Sequence, residues 1–161
     1  SIGIKNSITR SLISNTLYYL GGWNDNFIFP NQIYGYERET TVYEGRPTTW
    51  TGKIALAYPS DYSYAADLGS CSQDLYNYSD STCTSTNWMK SILGTSNMGW
   101  LLTSDSDTAL RAWLINPSGR VVKIVVTTRA YGIAPVLYLG SELGIGSGTG
   151  TNSDPYRLSV S

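Results

Sequence analysis

Apolar residues recur at helical spacing in the first twenty residues of the chain. Five of them fall on one face of a helix, with polar residues between them: Ile4, Ile8, Leu12, Ile13 and Leu17. The pattern predicts an N-terminal helix, residues 1–20, that ends near the glycine pair at 21–22. Because the chain starts at Ser1 without Met, inside this pattern, we expect that an upstream segment has been removed.

The middle of the chain has no sustained period and predicts mostly loop with short elements. Aromatic residues are scattered there among Asn, Gly and Thr, and Pro30 and Pro47 interrupt the pattern. The elements that we predict are a short helix at 31–36, a strand at 53–58, helical turns at 61–66 and a helix at 88–93 capped by Asn87.

The last third is rich in β-branched and aromatic residues and predicts strands. We place them at 100–102, 112–116, 120–128, 133–139 and 154–158. Between the second and third lies Asn116-Pro117-Ser118-Gly119, where Pro presets φ for a turn and Gly tolerates positive φ. This turn predicts an antiparallel hairpin. The glycine-rich run 140–150 predicts a surface loop.

The two strands of this hairpin do not alternate between apolar and polar residues. One interpretation is a central pair of strands that is covered on both faces. The other is that one face packs the core, through Val121 and Val125 for instance, while the other presents an apolar and cationic patch to a partner. The sequence leaves both interpretations open.

Composition narrows the classes of function. Among 161 residues there are 11 basic and 12 acidic side chains, a net charge of −1, which argues against nucleic acid and anionic lipid as partners. The absence of histidine excludes Ser-His-Asp and Cys-His catalysis and imidazole metal sites. Only 14% of residues are charged, and no apolar run approaches 18 residues. These features are typical of an extracellular, loop-rich protein without direct membrane contact.

The two cysteines, Cys71 and Cys83, are separated by a polar stretch. With no histidine to complete a zinc site, we predict a disulfide between them, and the alternative is two free thiols in a cytosolic protein.

The sequence gives only weak signals for a phosphate-binding loop, a calcium site or a glycosidase site. The run 144–148 lacks the strand-turn-helix context of a phosphate-binding loop. Asp105, Asp107 and Asp154 could offer oxygens to calcium, but the EF-hand pattern is missing and such residues commonly form turns. Three glutamates near Arg38 and Arg46 fit either a solvated salt-bridge patch or a carboxylate pair for glycoside chemistry: Glu37, Glu39 and Glu44. We predict no catalytic residue, no cofactor and no metal.

Several segments, read together, resemble a family of bacterial surface proteins, often fused to pilin-like helices, that carry a C-type-lectin-like domain. The matching segments are YLGGW (19–23), YER (36–38), RPTTWTGKI (46–54), YPSDY (58–62), NW (87–88), WLLT (100–103), SG (118–119), GIAPVLYL (132–139), GTG (148–150) and DPY (154–156). The C-terminal part also resembles the variable proteins of diversity-generating retroelements, in which adenine-directed mutagenesis diversifies surface residues.

The resemblance implies an α+β, C-type-lectin-like (formylglycine-generating-enzyme-like) fold over residues 21–161, after the helix at 1–20. A domain of this fold is expected to have short antiparallel sheets, few short helices and much loop. It implies framework positions at Ile115, Gly119, Val121, Val125, Tyr131 and Gly132. The implied ligand-binding residues are Thr108, Leu110, Arg111, Trp113, Leu114, Arg120, Val122, Lys123, Ile124, Val126, Thr127, Thr128 and Arg129.

The function expected from the resemblance is non-catalytic recognition of a protein ligand on another cell or particle. The chain would be displayed on a cell, pilus or virion surface. The alternative is a structural pilin-type subunit that assembles into a filament or fibre through an N-terminal segment. A third class, an enzyme related to formylglycine-generating proteins, would need a reactive cysteine pair in an active-site groove. Here the two cysteines lie at the two ends of a polar loop.

Overall fold

The computed structural model describes residues 7–93, 98–127, 130–151 and 153–160. In these ranges the helices are α1 (Ser7–Ser11), α2 (Pro30–Arg38), α3 (Pro59–Tyr64), α4 (Ser81–Thr84) and α5 (Lys90–Leu93), with a 3-10 turn at Leu75–Asn77. The strands are β1 (Thr16–Tyr19), β2 (Thr49–Gly52), β3 (Ala55–Leu56), β4 (Gly99–Ser104), β5 (Arg111–Ile115), β6 (Val121–Val125), β7 (Pro135–Val136), β8 (Leu143–Ser147) and β9 (Arg157–Val160). None of the helices in the described ranges is long and apolar enough to cross a membrane.

The strands pair as small antiparallel sheets. β1 pairs with β2, β3 with β7 and β8 with β9, and β4-β5-β6 forms a three-stranded sheet. The expected α+β class, with short antiparallel sheets and few short helices, is confirmed at this level.

The predicted hairpin is confirmed as β5-β6. Ile115 lies opposite Val121 and Arg111 opposite Val125. Gly119 has a φ of 96°, and its N–H donates to the carbonyl of Asn116 at 2.9 Å. The turn therefore uses the positive φ for which the sequence supplies a glycine.

Helices α2 and α3 begin in the same way. Each has proline at its first position, where the missing N–H would have had no partner. The N–H of the residue before the proline donates to a side chain three residues on: Phe29 to Gln32 Oε1 at 3.0 Å, and Tyr58 to Asp61 Oδ2 at 2.9 Å. This local chemistry explains why short helices form near the predicted 31–36 and 61–66, each beginning earlier than predicted, at the proline.

The main core lies between these helices and one face of the three-stranded sheet. Its largest fully buried members are Trp113, Tyr62, Tyr78, Ile33, Leu75, Ile115 and Val121. A smaller cluster of Tyr18, Ala55 and Tyr58 packs with Leu102 and Val136 near the short strands β1, β3 and β7.

The prediction of a helix over residues 1–20 is wrong in its second half. Helix α1 ends at Ser11, and β1 (Thr16–Tyr19) pairs with β2, which follows some thirty residues later in the sequence. Tyr18 is buried against the smaller cluster while Leu17 is exposed, so the alternation of a strand replaces the helical period. The first predicted position, Ile4, lies outside the described residues.

The glycine-rich run is not only a loop. Residues Leu143–Ser147 form β8, which pairs with β9 (Arg157–Val160), slightly beyond the closing strand that was predicted. Glycines weaken a strand without forbidding it, and here a partner strand supplies the hydrogen bonds. The strand predicted at 133–139 is reduced to β7.

The predicted disulfide is present. Cys71 and Cys83 are bonded, both are buried, and their Cα atoms are 4.6 Å apart. The segment between them is mostly polar in sequence, but its residues Leu75 and Tyr78 pack in the main core. The disulfide therefore ties a core-forming segment to the rest of the domain.

We expect reduction of this disulfide to lower the free energy of unfolding by about 2–3 kcal/mol, because it frees the unfolded chain from a short closed loop. Urea unfolding with and without dithiothreitol measures the change. The double variant Cys71→Ala/Cys83→Ala is the control, and dithiothreitol should leave its unfolding midpoint unchanged. An equal midpoint for the oxidised and reduced wild-type protein would contradict the prediction.

Candidate functional site

The β5-β6 hairpin has two faces with different composition, because side chains alternate along each strand and paired residues share a face. One face, here the core face, carries Arg111, Trp113, Ile115, Val121, Lys123 and Val125. The other, here the outer face, carries Ala112, Leu114, Val122 and Ile124 and continues to Leu110 and Val126 beyond the strand ends. All the charge is on the first face, and the outer face is entirely apolar.

The two cations of the core face lie near one buried carboxylate. Asp105 is buried, and its Oδ2 lies 3.2 Å from Lys123 Nζ and 4.0 Å from an Arg111 guanidinium nitrogen. Its Oδ1 accepts from the N–H of Asp107 at 2.9 Å. Lys123 also donates to the carbonyl of Asn24. These contacts attach the hairpin to the loops that contain Asp105 and Asn24. The Lys123 side chain therefore has a structural role, and it is almost entirely buried.

Trp113 and Leu114, predicted as ligand-binding residues, are both 0% exposed. Trp113 packs in the main core, and its Nε1 has no hydrogen-bond partner there. The expectation that these two side chains face a ligand is therefore corrected. The stretch Trp113-Leu114-Ile115 is apolar on both faces because this part of β5, the central strand of its sheet, is covered on both sides.

The outer face becomes exposed at the end of the hairpin away from its turn. Leu110 is 58% exposed and Val126 41% exposed, and the N–H of Val126 donates to the carbonyl of Leu110 at 2.9 Å. Ala112, Val122 and Ile124 are half-buried between this end and Leu114. Exposure of the apolar side chains on this face thus increases from Leu114 towards Leu110 and Val126.

Polar residues adjoin Leu110 and Val126 in the sequence, with Arg111 on the opposite face of its strand. The Arg111 side chain is 54% exposed, Thr127 is exposed, and Thr108 Oγ1 accepts from the N–H of Leu110 at 3.2 Å. We call this group, Thr108, Leu110, Arg111, Val126 and Thr127, the open end of the hairpin. These five predicted binding residues lie at one end of the hairpin and are all at least partly exposed.

Arg120 lies at the opposite end of the hairpin, beside the turn. Its Nε donates to Ser79 Oγ at 3.3 Å, and its guanidinium lies 4.7 Å from the ring centroid of Tyr76. Tyr76 in turn contacts the exposed ring of Phe27, with 4.9 Å between centroids. Arg120 therefore belongs to a separate surface. Thr128 and Arg129 lie outside the described residues.

The framework positions that the resemblance implies are divided between interior and surface. Ile115, Gly119 and Val121 are buried, and Tyr62 Oη donates to the carbonyl of Gly119 at 3.2 Å. Val125 and Tyr131 are half-buried, whereas Gly132 is exposed. The buried three support the hairpin from the core side.

A second cluster of polar groups lies where α2 packs on α3. Glu37 is fully buried, and its carboxylate accepts from Ser60 N at 2.9 Å and from Ser60 Oγ. Arg38 forms an ion pair with it at 3.1 Å. Burial raises the pKa of Glu37 to about 7, although the Ser60 hydrogen bonds and Arg38 oppose the shift.

This cluster does not form the carboxylate pair that glycoside chemistry needs. Glu39 and Glu44 are exposed, whereas Glu37 is enclosed between helices and has no contact with solvent. The buried carboxylate joins α2 to α3.

The alternative of a calcium site is also not supported by the geometry. Asp105 is occupied by two cationic side chains, and Asp154 pairs with Arg157 at 3.2 Å. Across the described ranges, no group of three or more acidic or cysteine side chains could hold a metal ion.

Sequence reasoning missed the residues that hold the open end in place. Arg46 Nη2 donates to the carbonyl of Ala109 at 2.5 Å, and Asn24 Nδ2 donates to Asp107 Oδ2 at 2.7 Å. These contacts join positions 63 and 83 residues apart. A lone Asp or Asn in a loop carries no signal that distinguishes a long-range partner from a local turn.

Comparison of the chain with protein-family models, with curated proteins and with solved structures gives no match.

Proposed function

We propose that this chain is a non-catalytic ligand-binding protein with a C-type-lectin-like fold, displayed outside the cell, and that the open end of the hairpin is its binding surface. The observation that carries the proposal is the apolar outer face, whose side chains become exposed at Leu110 and Val126, with the exposed Arg111 projecting from the opposite face at the same end of the hairpin.

The chemistry of this surface suits a protein ligand. Exposed apolar side chains and arginine are both frequent in protein interfaces, where apolar burial and arginine contribute much of the affinity. The Asp105 network and the Arg46 and Asn24 contacts hold the surface on a fixed support, which lowers the entropy lost on binding. The disulfide fits an oxidising, extracellular environment.

The proposal includes diversification of this surface by a retroelement, and the structure sharpens which codons should vary. A residue can be replaced freely only where its side chain does not pack in the core. Codons for Leu110, Arg111, Val126 and Thr127 should therefore vary, and codons for Ile115 and Val121 should not.

The test is the nucleotide sequence around the gene. We expect a near-copy of the codons for residues 105–139, beside a reverse transcriptase gene, that differs only at adenines. The differences should fall at the exposed codons of the hairpin. The matched control lies within the copied codons, because Ile133 and Tyr138 are more exposed than Val126 yet belong to the segment 132–139 that should be invariant.

Two results would overturn the proposal in this form. One is the absence of such a copy, which would favour a fixed-sequence filament subunit. The other is a copy whose differences fall on Ile115 and Val121 as often as on exposed positions.

A further inference from the structure

A pocket separate from the hairpin lies beside helix α3. It has a volume of about 360 Å³ and is lined by Ala57, Asp61, Tyr64, Ala65, Trp88, Met89 and Val136. This volume lies within the usual range for small-molecule sites, about 300–1,000 Å³. We call it the Trp88 pocket. None of its lining residues belongs to the binding surface proposed above.

Trp88 is held in an unusual position for a tryptophan. Its side chain is 64% exposed, although both neighbours in the sequence are buried. Asn87 caps the following helix as predicted, accepting from Met89 N–H at 3.0 Å, and its Nδ2 donates to the carbonyl of Tyr62 at 2.8 Å. The backbone on which the indole stands is thus fixed, while the indole itself faces solvent.

Tyr64 supplies a second aromatic side chain from the last turn of α3, and it too is exposed. Its ring stands edge-on to Tyr34, with 6.1 Å between centroids, which limits its motion. Two large aromatic side chains therefore reach solvent at one pocket whose remaining apolar lining is small or flexible: Ala57, Ala65, Met89 and Val136.

The charge of the lining has one sign. Among the described residues that line it, Asp61 is the single acidic one and none is a lysine or an arginine. The Tyr58 N–H bond to Asp61 Oδ2 orients the carboxylate, and Oδ1 accepts no hydrogen bond from the part of the chain that the structure describes. Arg38, the cation of the neighbouring helix α2, is engaged by Glu37 at 3.1 Å and by the carbonyl of Tyr34 at 3.0 Å.

We propose that the Trp88 pocket binds an organic ammonium cation. The aromatic faces of Trp88 and Tyr64 attract a desolvated cation through their electron-rich surfaces, and its alkyl groups bury apolar area against them. Asp61 supplies the opposite charge. A saccharide would also stack on aromatic rings, but this lining offers few polar groups for its hydroxyls, so the cation fits better.

The experiment follows the Trp88 indole N–H signal by NMR while the intact protein is titrated with choline or with 3,3-dimethyl-1-butanol, its neutral isostere. We expect saturable binding of choline and at least tenfold weaker binding of the alcohol. Trp88→Leu and Asp61→Asn should each weaken choline binding at least tenfold. Because Trp88→Leu has no indole signal at this position, its titration is followed on NMR signals of other pocket residues. Asp61→Asn keeps an oxygen for the Tyr58 N–H, and so preserves the start of α3.

Ile92→Ala is the matched control, because Ile92 is about as exposed as Trp88 and lies in α5 outside the pocket. It should leave choline binding unchanged. A third titration, with Nα-acetyl-Nε-trimethyl-lysine amide, distinguishes the source of the cation. Tighter binding than choline indicates a protein side chain, and weaker binding indicates a small molecule or lipid headgroup.

The proposal is overturned if choline and the alcohol bind equally, since charge then plays no part. It is also overturned if neither cation binds, if both substitutions leave binding intact, or if methyl glycosides bind and the cations do not. All of these results are independent of the hairpin surface, and therefore of the function proposed above.

Discussion

Replacing Trp113 by alanine is expected to lower the free energy of unfolding by about 3–5 kcal/mol, whereas Arg111→Ala should change it by about 1 kcal/mol or less. The family resemblance implies that both residues are parts of one binding surface. The structure separates them, because Trp113 is fully buried while Arg111 is largely exposed.

The physical reason for the large effect is the size of the buried indole. Trp113 is the largest of the fully buried side chains and packs in the main core with Ile115 and Val121. Alanine there would leave a cavity that the surrounding helices and sheet fill only in part. Arg111 contributes an ion pair at 4.0 Å to Asp105, which keeps its closer partner Lys123 at 3.2 Å when the arginine is removed.

Urea unfolding followed by far-UV circular dichroism measures both changes. Trp88→Ala is the matched control for loss of an indole, because Trp88 is exposed, and it should leave stability nearly unchanged. If Trp113→Ala proved as stable as Trp88→Ala, the position of Trp113 in the core would be wrong. Under the proposed function, only Arg111→Ala gives a folded protein in which ligand binding is weakened.

The second large effect is a dependence of stability on pH that comes from Glu37. Its pKa is about 7 in the folded protein against an ordinary value of 4.5. Between these values the folded state keeps the proton that the unfolded chain has lost, so the free energy of unfolding falls as pH rises. The difference in pKa corresponds to about 3 kcal/mol, lost between pH 4.5 and pH 7.

Glu37→Gln should remove this contribution. The glutamine side chain has almost the same shape, keeps an oxygen for the Ser60 N–H and carries no proton to lose. The stability of the wild-type protein relative to this variant should therefore fall up to about pH 7 and level off above it. Thermal or urea unfolding of both proteins at several pH values measures the difference.

Glu39→Gln is the control, because Glu39 is close in sequence but exposed. It should follow the wild-type profile. A Glu37→Gln profile parallel to that of the wild-type protein would show that Glu37 titrates normally, and the proposed enclosure between α2 and α3 would be wrong.

The hairpin shows how far the sequence can be used to find a site. The turn at 116–119 and the two strands were predictable, because Pro and Gly act locally on φ. The mixed pattern left two interpretations open, and the structure shows a part covered on both faces and a part that is exposed, whereas the partner stays a prediction. Leu114 is covered, whereas Leu110 and Val126 emerge on the same outer face. Which part is covered depends on elements distant in the sequence.

In two segments, one near each end of the chain, the local pattern predicted the wrong element. A helical period in the first residues predicted a helix, but pairing with β2 turned Thr16–Tyr19 into a strand. A glycine-rich run predicted a loop, but pairing with β9 made Leu143–Ser147 a strand. In both cases a long-range partner outweighed a weak local preference.

By itself the sequence determined the features that act over a few residues or through composition. These are the short helices near 31–36 and 61–66, the turn of the hairpin, the disulfide and the absence of histidine chemistry. Only the tertiary structure decided that Trp113 belongs to the core, that Arg111 and Lys123 share Asp105, and that Glu37 is enclosed. The reason is that burial and charge pairing depend on which distant segments pack together, and a single-residue pattern records each side chain but not its neighbours in space.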